Sequence, residues 1–423
     1  MKRKRERHKK ITLKQQKQQK AEHKNKFFKR IQSICSLLNC PQIYNLIPRE
    51  ELEVIYNHRF RAFRFIAAEG NEIPQNVLSE IRAQCTEQLR ETYINISDND
   101  EKMSLFEFYT MGVSVFQYVY YLEESKYKNA SLVKELKNHC KDYNYLLEEA
   151  GNALEKLSDV VCFLHGDVAL KIYWIMHEFN VDKNNPNGIE NLMKIHCSIP
   201  EKIYDDKDNN YRPATRISVG LSQRGIGYFA FKLEEKEILL TNNKSGMGIF
   251  IQAHALHRLK ERLDCLNPIL FQAFLISSIL EGKIYKDENG TYLISFNVQE
   301  IKIGYLIADL NNGNLIIRTF LFITQNGTPE GKKLAELYGL CKQDKTYLEL
   351  DKLSTFVTKD MCDDKRLSDI FQQVGCQYLL DLAVDNRFKG MCNINSKTTS
   401  VKEIVKYLRL DENKTGSNLQ QIA

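Results

Sequence analysis

The stretch "EIKIGYLIADLNNGNLIIRTFLFIT" (residues 300–324) consists of two apolar runs separated by Asn312–Gly313. An Asn-Gly pair between such runs predicts a tight β-hairpin, because both residues tolerate a positive φ. A second pair, Asn289–Gly290, separates "KIYKD" from "TYLISFN" just upstream. The two turns together predict a four-stranded antiparallel meander. Its last strand is apolar at consecutive positions, so we expect both of its faces to be covered.

The segments on either side of this meander predict helices and further strands. One helix follows the strand-like run "GIFIQ", and a second begins near Asn267–Pro268 and ends at Gly282. Upstream, the short runs "RISVGL", "GYFAFKL" and "KEILLTNN" predict strands. After the meander, Thr328 and Pro329 predict the start of a helix that stops at Gly339. Helices are also expected over residues 345–385 and 399–409.

The N-terminal half reads as helices almost throughout. The run "RFRAFRF" (residues 59–65) falls within a predicted helix over residues 48–70. We interpret it as a core face with arginines at its rim, and nucleic-acid contact is the alternative. The fold class is α+β. The expected divisions are a disordered basic tail (1–30), an all-helical domain (31–205), an α+β domain (210–345), a C-terminal helical extension (346–410) and a disordered tail (411–423).

The positive charge of the chain is concentrated at its N-terminus. Residues 1–30 hold 14 lysines and arginines against two acidic residues, a local charge of +12, whereas the whole chain carries only +6. A like-charged block with few apolar residues is typical of an arm that contacts RNA or another polyanion. A solubilising tail and a nuclear-import signal are alternatives. The expected contact residues are Lys2, Arg3, Lys4, Arg5, Arg7, Lys9 and Lys10.

Several classes of protein are disfavoured by the composition. The N-terminal segment lacks the apolar run of a secretory signal. The longest apolar stretch, "NPILFQAFLISSIL" (residues 267–280), is shorter than a membrane-spanning helix. The eleven cysteines occur singly, without a CxxC pair, which favours reduced thiols and a cytoplasmic protein. We therefore expect no membrane association, no metal site and no cofactor.

The helix predicted after "GIFIQ" carries one polar stripe. At 100° per residue, the polar side chains fall on one arc and the leucines fall on the opposite side. This pattern is typical of a helix with a buried apolar face and a solvated polar face. Because two histidines are uncommon on such a face, an anion-binding or catalytic surface is the alternative. The residues of the stripe are His254, His257, Arg258, Glu261 and Arg262.

The element order and the spacing of this stripe resemble a known family. Over residues 248–325 the chain resembles the RelE-like (barnase–colicin–RelE type) bacterial toxin ribonucleases, including the BrnT-type domains. The family has a strand leading into "T-x-H-A-x-x-R-x-x-x-R", then a helix, then strands. Gln252 stands here where the family usually has threonine. The matching positions are Gln252, His254, Ala255, Arg258, Arg262, Gly282 and Arg318–Thr319.

The resemblance implies a metal-independent endoribonuclease that cleaves single-stranded or ribosome-bound RNA. The residue types agree, since histidine can transfer protons near neutral pH and arginine binds phosphate through two hydrogen bonds. The alternative is a non-catalytic protein that binds nucleic acid or ribosomes with its basic arm and a protein partner with its helices. The expected catalytic residues are His254, His257, Arg258 and Arg262, and the expected substrate-binding residues are Tyr285, Tyr292 and Arg318.

Overall fold

The computed structural model describes part of the chain, which forms two compact units. Unit 1 is built from segments within residues 1–165, 173–197 and 220–225, and unit 2 from segments within residues 166–172, 198–219 and 226–423. The described residues are 13–121, 135–181, 188–205, 211–358, 361 and 364–392.

Unit 1 combines helices with short strands. A three-stranded sheet has the order β1-β5-β4, and β2 pairs with β3 in a hairpin. In chain order the elements are α1 (Leu13–Leu37), α2 (Pro41–Tyr44), α3 (Arg49–Asn57), β1 (Arg64–Ala67), α4 (Gln75–Glu91), β2 (Tyr93–Asn95), β3 (Lys102–Ser104), α5 (Leu105–Glu107), a π-helical turn (Phe108–Gly112), α6 (Val113–Tyr121), α7 (Tyr143–His165), β4 (Ile172–Val181) and β5 (Ile189–Ser198).

The prediction of an all-helical domain over residues 31–205 is therefore wrong. Helix α3 ends at Asn57, and the run "RFRAFRF" leads into β1, which pairs in parallel with β5. Arginine and phenylalanine alternate within residues 59–61 and again within residues 63–65, with the phase shifted at Ala62, and the helical interpretation overlooked this local two-residue period of a strand. Strand β4, "IYWIMHEFNV", is rich in aromatic and β-branched residues, which favour extended backbone.

The prediction of a disordered basic tail over residues 1–30 disagrees with the structure from Leu13 onward. Residues 1–12, which include the expected polyanion contacts, lie outside the described residues. From Leu13 onward the chain is helical in α1, so the prediction of disorder through residue 30 is wrong. Phe27, Phe28 and Ile31 are buried in the core of unit 1. Because these apolar side chains recur at helical spacing, they hold α1 against the rest of the unit.

Unit 2 is built around a large mixed sheet with helices after it. In chain order its elements are β6 (Lys202–Asp205), β7 (Arg212–Arg216), β8 (Ser218–Leu221), β9 (Gly225–Lys232), β10 (Glu237–Thr241), β11 (Met247–Gln252), α8 (Ala253–Arg262), α9 (Pro268–Glu281), β12 (Ile284–Lys286), β13 (Tyr292–Val298), β14 (Ile301–Asn311), β15 (Asn314–Phe322), α10 (Pro329–Tyr338), α11 (Lys342–Tyr347), α12 (Leu353–Thr358), α13 (Lys365–Val374), a 3₁₀ helix (Gln377–Ala383) and α14 (Asn386–Met391).

The four-stranded meander is confirmed, and it continues into further strands. Strands β12 to β15 pair antiparallel in sequence order. Strand β11 lies parallel to β15, and β7 and β6 extend the sheet from the other side of β11. Ile316, Ile317 and Phe320 of β15 are all buried, which agrees with the expected cover on both faces. The α+β class is also confirmed.

The two turns of the meander differ from each other. Asn312 and Gly313 both have positive φ (48° and 72°), as a two-residue hairpin requires. In the first turn only Gly290 has a positive φ, 83°. There, the side chain of Asp287 accepts hydrogen bonds from the backbone N–H groups of Asn289 and Thr291. The expectation that both central positions have a positive φ is thus correct for the second turn only.

Valine at either turn glycine is expected to lower the free energy of unfolding by about 1 kcal/mol or more, because a β-branched residue resists positive φ. Thermal unfolding of Gly290→Val and Gly313→Val measures this. Gly390→Val is the matched control, since Gly390 lies in α14 with open space around the position of a Cβ and without a positive φ. Unfolding temperatures equal to that of the control for both turn variants would contradict the prediction.

The C-terminal helices belong to unit 2 instead of forming a separate extension. Helix α10 begins as predicted, with the Thr328 hydroxyl accepting a hydrogen bond from the N–H of Gly331 at 2.9 Å, and it ends at Gly339 with φ 65°. The predicted helix over residues 399–409 and the tail over residues 411–423 lie outside the described residues. Among the helices that the structure describes, none has both the length and the apolar character that crossing a membrane requires.

Candidate functional site

Helix α8 has the amphipathic character that its sequence predicts. It follows β11 directly, with Gln252 as the residue before its first turn. Within this helix, Ala255 and Leu259 are buried, whereas His254 and His257 are exposed. The predicted polar stripe therefore exists, but its members differ in their accessibility.

Arg262 is buried and does not share the accessibility of the stripe. Its guanidinium forms an ion pair with Asp351, and the two side chains are only 8% and 1% exposed. Burial raises the pKa of Asp351, and the charge of Arg262 opposes that shift. The prediction that Arg262 is a catalytic residue is therefore wrong, because the last turn of α8 packs against the segment that precedes α12 and the guanidinium is buried there.

Arg258 remains accessible although it has a neighbouring acid. Its Nη1 lies 2.7 Å from Oε2 of Glu261, and its side chain is 39% exposed. Partial burial acts to raise the pKa of Glu261, but the hydrogen bond from Arg258 and the charge of Arg262 outweigh it, so this pKa is lowered. Glu261 is ionised at neutral pH and neutralises part of the charge of Arg258.

His254 lies in an electropositive environment. Partial burial lowers its pKa, and the charges of Arg258 and Arg212 lower it further. The imidazole is therefore mainly neutral at neutral pH and can accept a proton. Arg212, an exposed residue of β7, was not among the predicted site residues. We call the surface formed by Arg212, His254, His257 and Arg258 the α8 face.

A buried polar network lies next to the α8 face. Asp205, at the end of β6, is 2% exposed and accepts hydrogen bonds of 2.7 Å from Gln252 and from Asn311. Arg318 pairs with Asp205 and with Asp309, at 3.0 Å each. Arg318 is thus held by two carboxylates. The network fixes the end of β11, from which α8 begins.

The predicted tyrosines are not part of this site. Tyr292 is 2% exposed, so the expectation that it binds substrate is wrong. Tyr285 is exposed, but it lies on β12, and its ring packs edge-on against Tyr305. Strands β15, β14 and β13 separate β12 from β11. At about 4.8 Å per strand, Tyr285 lies about 19 Å from the strand that leads into α8.

The sequence contained a signal for the residues that were missed. Asp205 and Arg212 flank the Asp- and Asn-rich segment 206–210, and they are paired residues in the β6–β7 ladder. Polar residues between two extended runs are a hairpin signal. Pairing these two strands places Asp205 and Arg212 on one face, and the pairing of β7 with β11 brings that face to Gln252.

The α8 face is an open surface. A cavity of about 330 Å³ lies on the other side of α8, where Leu256, Lys260 and Phe271 contribute to its lining. In the described parts of the chain, no group of three or more histidine, cysteine and acidic side chains is placed to hold a metal ion. The α8 face offers imidazole and guanidinium groups that can bind anions and transfer protons.

Comparisons with known proteins identify no relative. No protein-family model, no curated protein and no solved structure matches the chain.

Proposed function

We propose that the protein binds RNA and that the α8 face is its contact surface on unit 2. One observation carries this proposal: Arg212 of β7 and the exposed side chains of α8 come together beside a buried network that fixes their backbone. Arginine matches the geometry of phosphate oxygens, and imidazole donates hydrogen bonds to them. The network around Asp205 fixes the backbone from which these groups project before any ligand binds, which lowers the entropic cost of binding.

Exposed aromatic side chains favour a single-stranded form of RNA. Tyr204 and Tyr211 are 69% and 76% exposed, and they lie on or beside the β6–β7 pair that carries Arg212. Unpaired bases stack on such rings, whereas bases in a duplex do not present their faces. Tyr204 alternates with Asp205 along β6, so its ring projects from the face of the β6–β7 pair opposite to Arg212, and an RNA strand that contacts both residues passes around this pair.

The double variant Arg212→Gln/Arg258→Gln is expected to bind single-stranded RNA about tenfold more weakly, because two phosphate contacts are lost. Fluorescence anisotropy with a labelled oligouridylate measures the affinity. The control is Lys332→Gln/Lys333→Gln, which removes the same charge from two exposed residues of α10. If both variants lose affinity equally, only net charge matters, and the proposal is wrong.

Cleavage of RNA is a second candidate function, and the environment of His254 favours it. Metal-independent cleavage needs a base that takes the proton of the 2′-hydroxyl group and an acid that protonates the leaving 5′-oxygen. His254 has a lowered pKa and is suited to be the base, and the exposed His257 is available as the acid. The resemblance to RelE-like ribonucleases supports the same reaction. Arg262 takes no part in this version of the site.

A further inference from the structure

Unit 1 contains a groove whose lining is strongly basic. Its volume is about 680 Å³, and it lies between α1, the segment that joins α3 to β1, and the π-helical turn. Five of its lining residues are lysines or arginines, and none is acidic. These five are Lys26, Lys29, Arg30, Arg59 and Arg61. His23 also lines the groove.

Acidic neighbours neutralise only part of this charge. Glu107 lies 3.3 Å from Arg30, and Glu190 lies 3.4 Å from Arg61. Within the part of the chain that the structure describes, no carboxylate pairs with Lys26 or Lys29, and both are exposed. The groove therefore keeps an excess of positive charge that is open to solvent.

The groove is built on a fixed floor. The guanidinium of Arg59 lies 3.9 Å above the ring of Tyr56, and its Nη1 donates a hydrogen bond of 2.7 Å to the backbone oxygen of Tyr56. Phe27 and Phe60 are buried among the lining residues. Side chains that are held in this way lose little conformational entropy when they bind a ligand.

The cations of the groove repel one another. Burial lowers the pKa of His23, and the charges of Arg59 and Lys26 lower it further. Burial likewise lowers the pKa of Arg59, with Arg61 adding to the effect. A bound anion relieves this repulsion, so the like charges favour an anionic occupant.

We propose that this groove binds the phosphate backbone of a single-stranded nucleic acid. Successive phosphates of a strand offer negative charges to the several cations that line the groove. The inference rests on the groove alone and stands even if the α8 face binds nothing. An anionic membrane fits less well, because a flat lipid surface does not enter a concave groove. Unit 1 thus acquires a nucleic-acid contact of its own.

The double variant Lys26→Gln/Lys29→Gln tests this inference in the full-length chain. Affinity for a labelled oligouridylate is measured across a salt series. Each phosphate contact on a single strand contributes about 0.7 to the slope of log affinity against log salt, so losing two lowers the slope by about 1.4. We expect that drop together with an affinity loss of about tenfold at low salt. Lys332→Gln/Lys333→Gln is the matched control, and thermal melts verify the fold of both variants.

Two outcomes would overturn the inference. In one, the groove variant keeps the salt slope of the control. In the other, it loses binding to phosphatidylserine vesicles but keeps its affinity for the oligouridylate, which identifies a membrane site. The variant Arg212→Gln/Arg258→Gln, measured in the same series, separates this inference from the proposed function. If only the groove variant loses affinity for the oligouridylate, the groove is supported and the α8 face is refuted. If only Arg212→Gln/Arg258→Gln loses affinity, the α8 face is supported and the groove is refuted.

Discussion

Replacing Asp351 with alanine is expected to lower the free energy of unfolding of unit 2 by about 3–5 kcal/mol. The substitution removes the buried partner of Arg262, whose side chain is only 8% exposed, and leaves the partly exposed Glu261, at 3.5 Å, as its acidic neighbour. A buried charge that loses a buried partner is costly because the protein interior does not replace the water it has lost. Urea unfolding of the full-length chain measures the effect, and a probe in unit 2 reports that unit.

Two further variants show whether burial is the cause. Arg258→Ala breaks the half-exposed pair with Glu261, and we expect a loss below about 1 kcal/mol. The double variant Arg262→Met/Asp351→Leu removes both buried charges, so it is expected to recover most of the stability. If Asp351→Ala costs no more than Arg258→Ala, the buried pair does not hold α8 in place, and our account of Arg262 is wrong.

If the protein cleaves RNA, His254→Ala is expected to reduce cleavage by about 100-fold or more, because the base that accepts the 2′-hydroxyl proton is lost. Arg258→Lys is also expected to fail, since lysine cannot form two parallel hydrogen bonds to a phosphate. Because the pKa of His254 is lowered, the base stays neutral to below its usual pH range, and activity falls only on further acidification. Cleavage of labelled single-stranded RNA without added metal measures these effects.

Two controls distinguish a loss of catalysis from a loss of folded structure. His58→Ala removes an exposed histidine of unit 1 and is expected to leave cleavage unchanged. Thermal melts of the same variants show whether a loss of activity follows a loss of structure. If wild-type protein is inert on oligonucleotides and on ribosomes, cleavage is refuted and RNA binding stands. If His254→Ala loses thermal stability instead of activity, the stripe of α8 is structural.

The parts of the fold that local sequence determines could be predicted. Asn312–Gly313 and the apolar runs around it predict the second hairpin, because the turn and its strands are adjacent in the chain. The start of α10 at Thr328 and its end at Gly339 depend on residues within one helix. Apart from Arg262, the exposed and buried faces of α8 follow from helical periodicity.

Features that depend on distant segments could not be predicted. Strand β1 pairs with β5, which lies more than a hundred residues further along the chain, and the sequence around "RFRAFRF" does not identify that partner. Arg262 lies on the predicted polar stripe, but Asp351, 89 residues away, buries it. Tyr292 has the alternation of a half-exposed strand, yet β13 is covered on both faces in unit 2. Helical or strand periodicity gives the direction of a side chain but not what packs against it.

Photo-cross-linking tests the central claim most directly. Full-length protein is irradiated with single-stranded RNA that contains 4-thiouridine, and the cross-linked peptides are identified by mass spectrometry. RNA binding by the α8 face predicts adducts on the peptide around residues 253–262 and on the strand that carries Arg212, and it predicts their loss in Arg212→Gln/Arg258→Gln. Adducts confined to other surfaces, or none at all under conditions where the RNA is bound, would contradict the account.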